Sequence, residues 1–194
     1  MLNIFLFGTL LGVLSHDYLY NYTLTGIKGI EYYSDKHTTL LNINIHILCM
    51  PYIVYSFLYL ISSLLFLNKY SSEKLSYLLY SIYGGHYIKI NIINTIPYYI
   101  LYYFVLYCFN NNYSNDLIML SNLKKQNKIN LPVNFYIFKK GFIYFSFFVL
   151  FQEVVGHILG NENPYNEENI LNSFLYSMYF SSIKLCSIYE FLYV

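Results

Sequence analysis

Residues 43–67 read INIHILCMPYIVYSFLYLISSLLFL, 25 positions without a charged side chain. As a helix rising about 1.5 Å per residue, the run reaches about 37 Å and can cross a hydrocarbon core of roughly 30 Å. The rest of the 194-residue chain agrees with a membrane setting: 57% of residues are hydrophobic, only 11% are charged, and mean hydropathy is +0.40. Eleven basic and ten acidic residues cannot cover a water-facing surface, and a net charge of +1 gives no basic face for nucleic acid. The composition predicts one all-α, polytopic integral membrane helix bundle, of about four to six membrane-embedded helices. Cys49, Cys108 and Cys186 are scattered in apolar runs and read as small buried hydrophobes. The 26 Tyr and 16 Phe read as compositional background.

Outward from the decisive run, residues 1–14 are apolar and lack a basic leader, which predicts a retained anchor or interfacial helix in preference to a signal peptide. Residues 16–36 carry mixed charges and two glycines, as a polar loop or surface helix does. The organisation expected is therefore an N-terminal anchor and polar loop over 1–36 and a membrane bundle over 37–194. Residues 75–83 are too few to span, and they stop at Gly84-Gly85; with residues 90–109, broken by Pro97, they predict a hairpin that turns at the glycines. Residues 110–140 read as a hydrophilic interlude, 141–159 as a spanning helix holding Glu153 and His157, 160–169 as a polar loop, and 170–194 as a last helix with Lys184 and Glu190. Threaded through a bilayer, this order puts Lys69, Lys74, Lys124, Lys125, Lys128, Lys139 and Lys140 on one side, which the positive-inside rule makes cytoplasmic. His37, His46, His86 and His157 fall near the other.

Ionisable groups inside spanning segments cost about 2.5–3.5 kcal/mol each at mid-bilayer, so His46, Glu153 and His157 are functional candidates by default. Asn42 and His46 are four apart and share a helical face, as do Glu153 and His157; two polar faces can thus meet across an interface. His37 precedes His46 by nine residues, about half a rotation on an unbroken helix, so the two can converge only if the helix begins between them. Neutral imidazoles in a cluster suit Fe, Zn, Cu or Ni. The same histidines also read as hydrogen-bonded interface residues, and Asn42 as an amide that glues helices.

The spacing of His37, Asn42, His46 and Pro51, H-x(4)-N-x(3)-H-x(4)-P, resembles the first signature of the 2-hydroxy-palmitic acid dioxygenase family. A second signature is similar to Gly156-His157, Glu162, Pro164, Glu168-Asn169 and the stretch 173–180, so the resemblance covers roughly residues 32–180. The chain departs from the family pattern at Thr39-Leu40, at Glu153, in a shorter loop after His157, and in lacking a histidine between 110 and 140. The resemblance implies a multi-pass endoplasmic-reticulum membrane enzyme that uses Fe(II) and O2 to shorten a 2-hydroxy fatty acid by one carbon, releasing CO2, in phytosphingosine breakdown. It further implies His37, His46 and His157 as metal ligands with His86 as a weaker fourth, Glu153 as a catalytic carboxylate beside a ligand imidazole, and Asn42 and Glu162 as positioning residues. Two other classes compete: a non-catalytic structural subunit of a mitochondrial or other organellar membrane complex, or an inactive divergent member of the family; and a transporter relaying protons through Glu153 and the histidines.

Overall fold

A computed structural model describes residues 1–22, 37–160 and 177–184. The described residues are helical throughout, without a strand: α1 (Leu2–Tyr22), α2 (Leu40–Leu64), α3 (Lys69–Ile90), α4 (Ile92–Lys125), α5 (Val133–Phe151), a π-helical continuation of α5 (Gln152–Ile158), and α6 (residues 177–184). Three spans, Leu40–Leu64, Ile92–Lys125 and Val133–Ile158, are long and apolar enough to cross a membrane; the apolar part of α1, Leu2–His16, is shorter. The molecule is a helical membrane protein.

The helix ends follow local chemistry. Thr39 caps α2 through its hydroxyl, which accepts from the Asn42 N–H at 3.4 Å. Asn91 alone separates α3 from α4: its backbone is extended, and its side chain accepts from the N–H groups of Ile93 and Asn94 at 2.9 and 3.1 Å. At the other end, Phe66 and Asn127 take the left-handed conformation (φ 52° and 54°) just past α2 and α4. There the Leu67 and Lys128 N–H groups reach back to the carbonyls of Ser62 and Leu123, which closes each helix with a tight chain reversal.

Two helix pairs result. Helices α2 and α5 pack antiparallel, with Tyr52 stacked on Phe148 at 4.5 Å and Gly141 so close to α2 that a Cβ there would lie 2.9 Å from that of Tyr59. Helices α1 and α3 run parallel, and α4 joins the pairs. The buried core is largely tyrosine: Tyr59, Tyr87, Tyr98, Tyr102, Tyr113 and Tyr179 are among its largest fully buried side chains. Two of these hydroxyls find backbone acceptors, Tyr113 at Leu67 O (2.8 Å) and Tyr98 at Tyr80 O (3.0 Å), so those two rings fill the core with their polar group satisfied. These tyrosines therefore have a structural part in the core.

Two expectations change. Gly84-Gly85 is not a turn: α3 runs through both, because Gly85 lies against the Thr9 backbone of α1 and Gly84 against the Tyr99 ring, where a Cβ would collide. Its counterpart on α1 is Gly8-x-x-x-Gly12, whose glycines lie against Ser81 and the backbone at Ile82; small residues four apart let two helices approach closely. The hairpin exists, but it turns at Asn91. Residues 110–140, the hydrophilic interlude, are mostly helical: α4 extends to Lys125 and α5 begins at Val133, with a short turn over 126–132 between them. Their polar side chains serve as interhelical ties: Asn112 Nδ2 donates to Tyr55 OH (2.9 Å), Ser76 Oγ to Asn110 Oδ1 (3.3 Å), and Asp116 accepts from Tyr59 OH (2.9 Å) and Lys140 Nζ (2.6 Å). The expected loop over 160–169 and most of the last helix, Glu162 and Glu190 included, lie outside the described residues.

Candidate metal centre

The end of the bundle opposite the lysine-bearing turns collects the histidines. His37 stands just before the Thr39 cap and folds back beside the first turns of α2, which carry Asn42 and His46 on one face. The π-helical segment brings Gly156 and His157 against that face. A π-turn widens a helix and recurs at functional sites; here it re-aims the end of α5 toward α2. Gly156 is required by proximity, for a Cβ there would sit 2.7 Å from Asn42 Oδ1.

Three imidazoles converge. The His37 ring lies 4.3 Å from that of His46 at 84° and 5.1 Å from that of His157 at 68°, while His46 and His157 are 5.6 Å apart at 85°. One nitrogen from each falls within 4.8 Å of the others, and the three residues are 2%, 1% and 1% exposed. Metal–imidazole bonds of about 2.0–2.1 Å place ligand nitrogens roughly 3–4 Å apart around one ion, so modest ring rotations close the trio onto a cation. The donor set, three neutral nitrogens in an apolar surround, fits Fe, Zn, Cu or Ni.

Each of two imidazoles is also held from behind. Asn42 Nδ2 lies 3.4 Å from His157 Nδ1, and the Ser177 hydroxyl lies 3.4 Å from His46 Nδ1. The Phe180 ring of α6 packs 5.6 Å from that of His37. Glu153, expected inside the bundle, lies beside the site but toward its rim: Oε2 is 4.0 Å from His157 Nε2, and the side chain is 46% exposed.

His86 does not join the trio. Because α3 pairs with α1, the last turn of α3 faces α1, and His86 Nδ1 lies 3.1 Å from Nδ1 of His16, both side chains buried. One ring donates and the other accepts, as two neutral imidazoles can. Burial, and after it the neighbouring His16 ring, pushes the His86 imidazole down to about 4, so it is uncharged at neutral pH. Among the described residues, the histidines placed to share one ion are His37, His46 and His157.

Sequence reasoning placed those three and Asn42 together but missed His16, Ser177 and the π-segment. Gly8-x-x-x-Gly12 was the available signal for the α1–α3 pairing, and with it for His16 beside His86. These features define an all-α membrane bundle with a buried three-histidine centre at one end. No protein-family model, curated protein or solved structure matches the chain.

Proposed function

We propose that the protein is an Fe(II)-dependent dioxygenase of the endoplasmic-reticulum membrane that shortens 2-hydroxy fatty acids by one carbon. The observation carrying this reading is the burial of His37, His46 and His157, with ligand atoms within 4.8 Å of one another, inside a membrane-embedded bundle. Desolvated histidines in such a place are costly unless they hold something. The reaction balances as one 2-hydroxy acid and one O2 giving the acid one carbon shorter, CO2 and water; the bond between C1 and C2 breaks, and both carbons are oxidised. Bound at the trio, Fe(II) supplies the Lewis acid that a hydroxyl and its adjacent carboxylate chelate, and the redox chemistry that O2 requires.

The chain's own residues do the rest. Three neutral imidazoles would hold a cation without cancelling its charge, which would favour an anionic substrate. Asn42 stands against the His157 ring at Nδ1, and the Glu153 carboxylate lies at the rim 4.0 Å from Nε2, beyond hydrogen-bond reach. A cavity of about 680 Å³ between α2, α4 and α5, lined by Pro51, Tyr52, Leu101, Phe104, Val105 and Phe148 among others, gives an acyl tail apolar surface reachable from the bilayer. Pro51 follows His46 by five residues, about 7.5 Å along the helix axis.

The test is direct. Protein purified in detergent and loaded anaerobically with Fe(II) is exposed to O2 with a 2-hydroxy C16 acid, and extracted lipids are read by mass spectrometry. The saturated C15 acid is expected. Iron-loaded protein that returns the substrate intact overturns the activity, and co-purification of fixed protein partners with indifference to His46 substitution points to a structural subunit instead.

A further inference from the structure

We infer that Ser177 is a positioning residue of the histidine centre: its hydroxyl accepts from Nδ1–H of His46 and so fixes the tautomer whose Nε2 carries the lone pair toward the trio. The role in metal binding rests on the function proposed above; the tautomer assignment does not.

A neutral imidazole has one N–H and one lone pair, and which nitrogen carries which is decided by the partner the ring finds. In water both tautomers coexist. His46 is 1% exposed, so the protein must make that choice, and the Ser177 hydroxyl lies at its Nδ1, 3.4 Å away. A hydroxyl can accept from Nδ1–H while its own proton turns elsewhere. A ligand histidine held this way from its outer nitrogen is the usual arrangement in metal sites, where losing that partner weakens metal binding about 10–100-fold.

The position of Ser177 does not depend on this bond, which makes the hydroxyl a cause of the His46 orientation and not a follower of it. Helix α6 is wedged into the histidine end by contacts elsewhere: Tyr179 packs 4.7 Å from the Tyr87 ring of α3, Ser181 Oγ lies 3.4 Å from Tyr102 OH of α4, and residues 177–182 are buried. The other two described serines of α6 return their hydroxyls to their own helix, both donating to the Met178 carbonyl. Ser177 reaches an imidazole 131 positions away in sequence. Asn42 meets His157 at the same ring nitrogen but through its amide Nδ2, which donates, so two neutral side chains, one from α2 and one from α6, approach different rings from the Nδ1 side.

The experiment uses full-length, metal-free protein in nanodiscs, labelled with ¹⁵N at histidine, with His46 assigned by the signal lost in His46→Gln. Wild type is expected to show a protonated Nδ1 and an unprotonated Nε2 at His46. Ser177→Ala should give mixed tautomers, and Ser177→Thr should restore one. The opposite tautomer in wild type, or no change in Ser177→Ala, overturns the inference. Ser177→Cys, a near-isosteric swap with a weaker hydrogen bond, serves if the alanine variant does not fold, and should mix the tautomers partially. Co(II) titration followed by its visible absorption is the second reading: affinity should fall about 10–100-fold in Ser177→Ala and stay within about twofold in Ser182→Ala, an equally buried hydroxyl of the same helix. Equal weakening in both makes Ser177 a packing residue only. A correct tautomer in a protein that binds neither Co(II) nor Fe(II) overturns the dioxygenase reading while leaving the tautomer assignment standing.

Discussion

Five histidines divide into two buried groups at the same end of the molecule, and they are built in opposite ways. His16 and His86 lie between two regular helices whose glycines bring the backbones together, and their Nδ1 atoms satisfy each other at 3.1 Å. His37, His46 and His157 come from three different settings: the segment before a helix cap, the first turns of α2, and a π-helical segment. Their rings meet nearly edge to face, and two of them are approached from Nδ1 by Asn42 and Ser177. A pair of imidazoles can share one proton between their Nδ1 atoms. Three cannot all pair with one another, and nitrogens aimed at a common point from separate segments are what a cation needs.

The largest effect should therefore separate the groups outright. His157→Ala removes one of three donors, and iron should fall from about one per chain to background, because a buried two-imidazole remnant lacks the ligand number that stable sites use. His86→Leu should leave iron content as in wild type. Metal analysis of the two purified variants decides the matter: equal iron loss in both would erase the distinction.

Acid should act on the pair. The folded His86 titrates at about 4, against about 6.5 when exposed, so its contribution to stability is intact above pH 6.5. It is lost progressively as pH falls toward 4, because the opened state binds the proton more readily, and the full loss is roughly 3 kcal/mol. Thermal unfolding in detergent at pH 7 and pH 4.5 should show a steeper fall for wild type than for His86→Leu, whose α1–α3 contact has no such proton to take up. Parallel curves would mean that the pair does not hold α1.

How much of this was legible follows the same division. The uncharged run over 43–67 announced α2, and the nine-residue spacing of His37 and His46 required the helix to start between them, as it does at Leu40. Two i, i+4 faces, Asn42/His46 and Glu153/His157, then had an interface to share. What could not be read locally was anything whose meaning depends on a distant partner. Gly84-Gly85 is the same dipeptide whether it turns a chain or admits a neighbouring backbone; only Gly8 and Gly12 on α1 decide. Asn110, Asn112 and Asp116 look solvated until Ser76, Tyr55 and Tyr59 are seen to engage them. Ser177 is one serine among many, distinguished solely by the ring it meets.

The glycine contact offers a milder way to stress the pair without touching a histidine. Gly85→Val places a branched side chain against the Thr9 backbone, which cannot retreat without separating α1 from α3. Overpacking of this kind costs about 1–3 kcal/mol. Thermal unfolding should report the loss, whereas the Co(II) affinity of the folded fraction should stay within about twofold. A matching collapse of metal affinity would show that the two groups are one cooperative unit.

The smallest effect is expected at one of the two partners of His157 itself. Asn42 is fully buried and sits at Nδ1; Glu153 is charged but about half exposed, 4.0 Å from Nε2. Intuition favours the carboxylate, yet water screens an exposed charge and can replace it, whereas nothing replaces a buried amide. Asn42→Ala should weaken Co(II) binding about 10–100-fold by letting the ring turn. Glu153→Gln should weaken it less than about threefold, in keeping with an exposed partner worth under roughly 1 kcal/mol. If the order reverses, Glu153 is reaching the cation and not merely the ring beside it, and the centre is three imidazoles with a carboxylate.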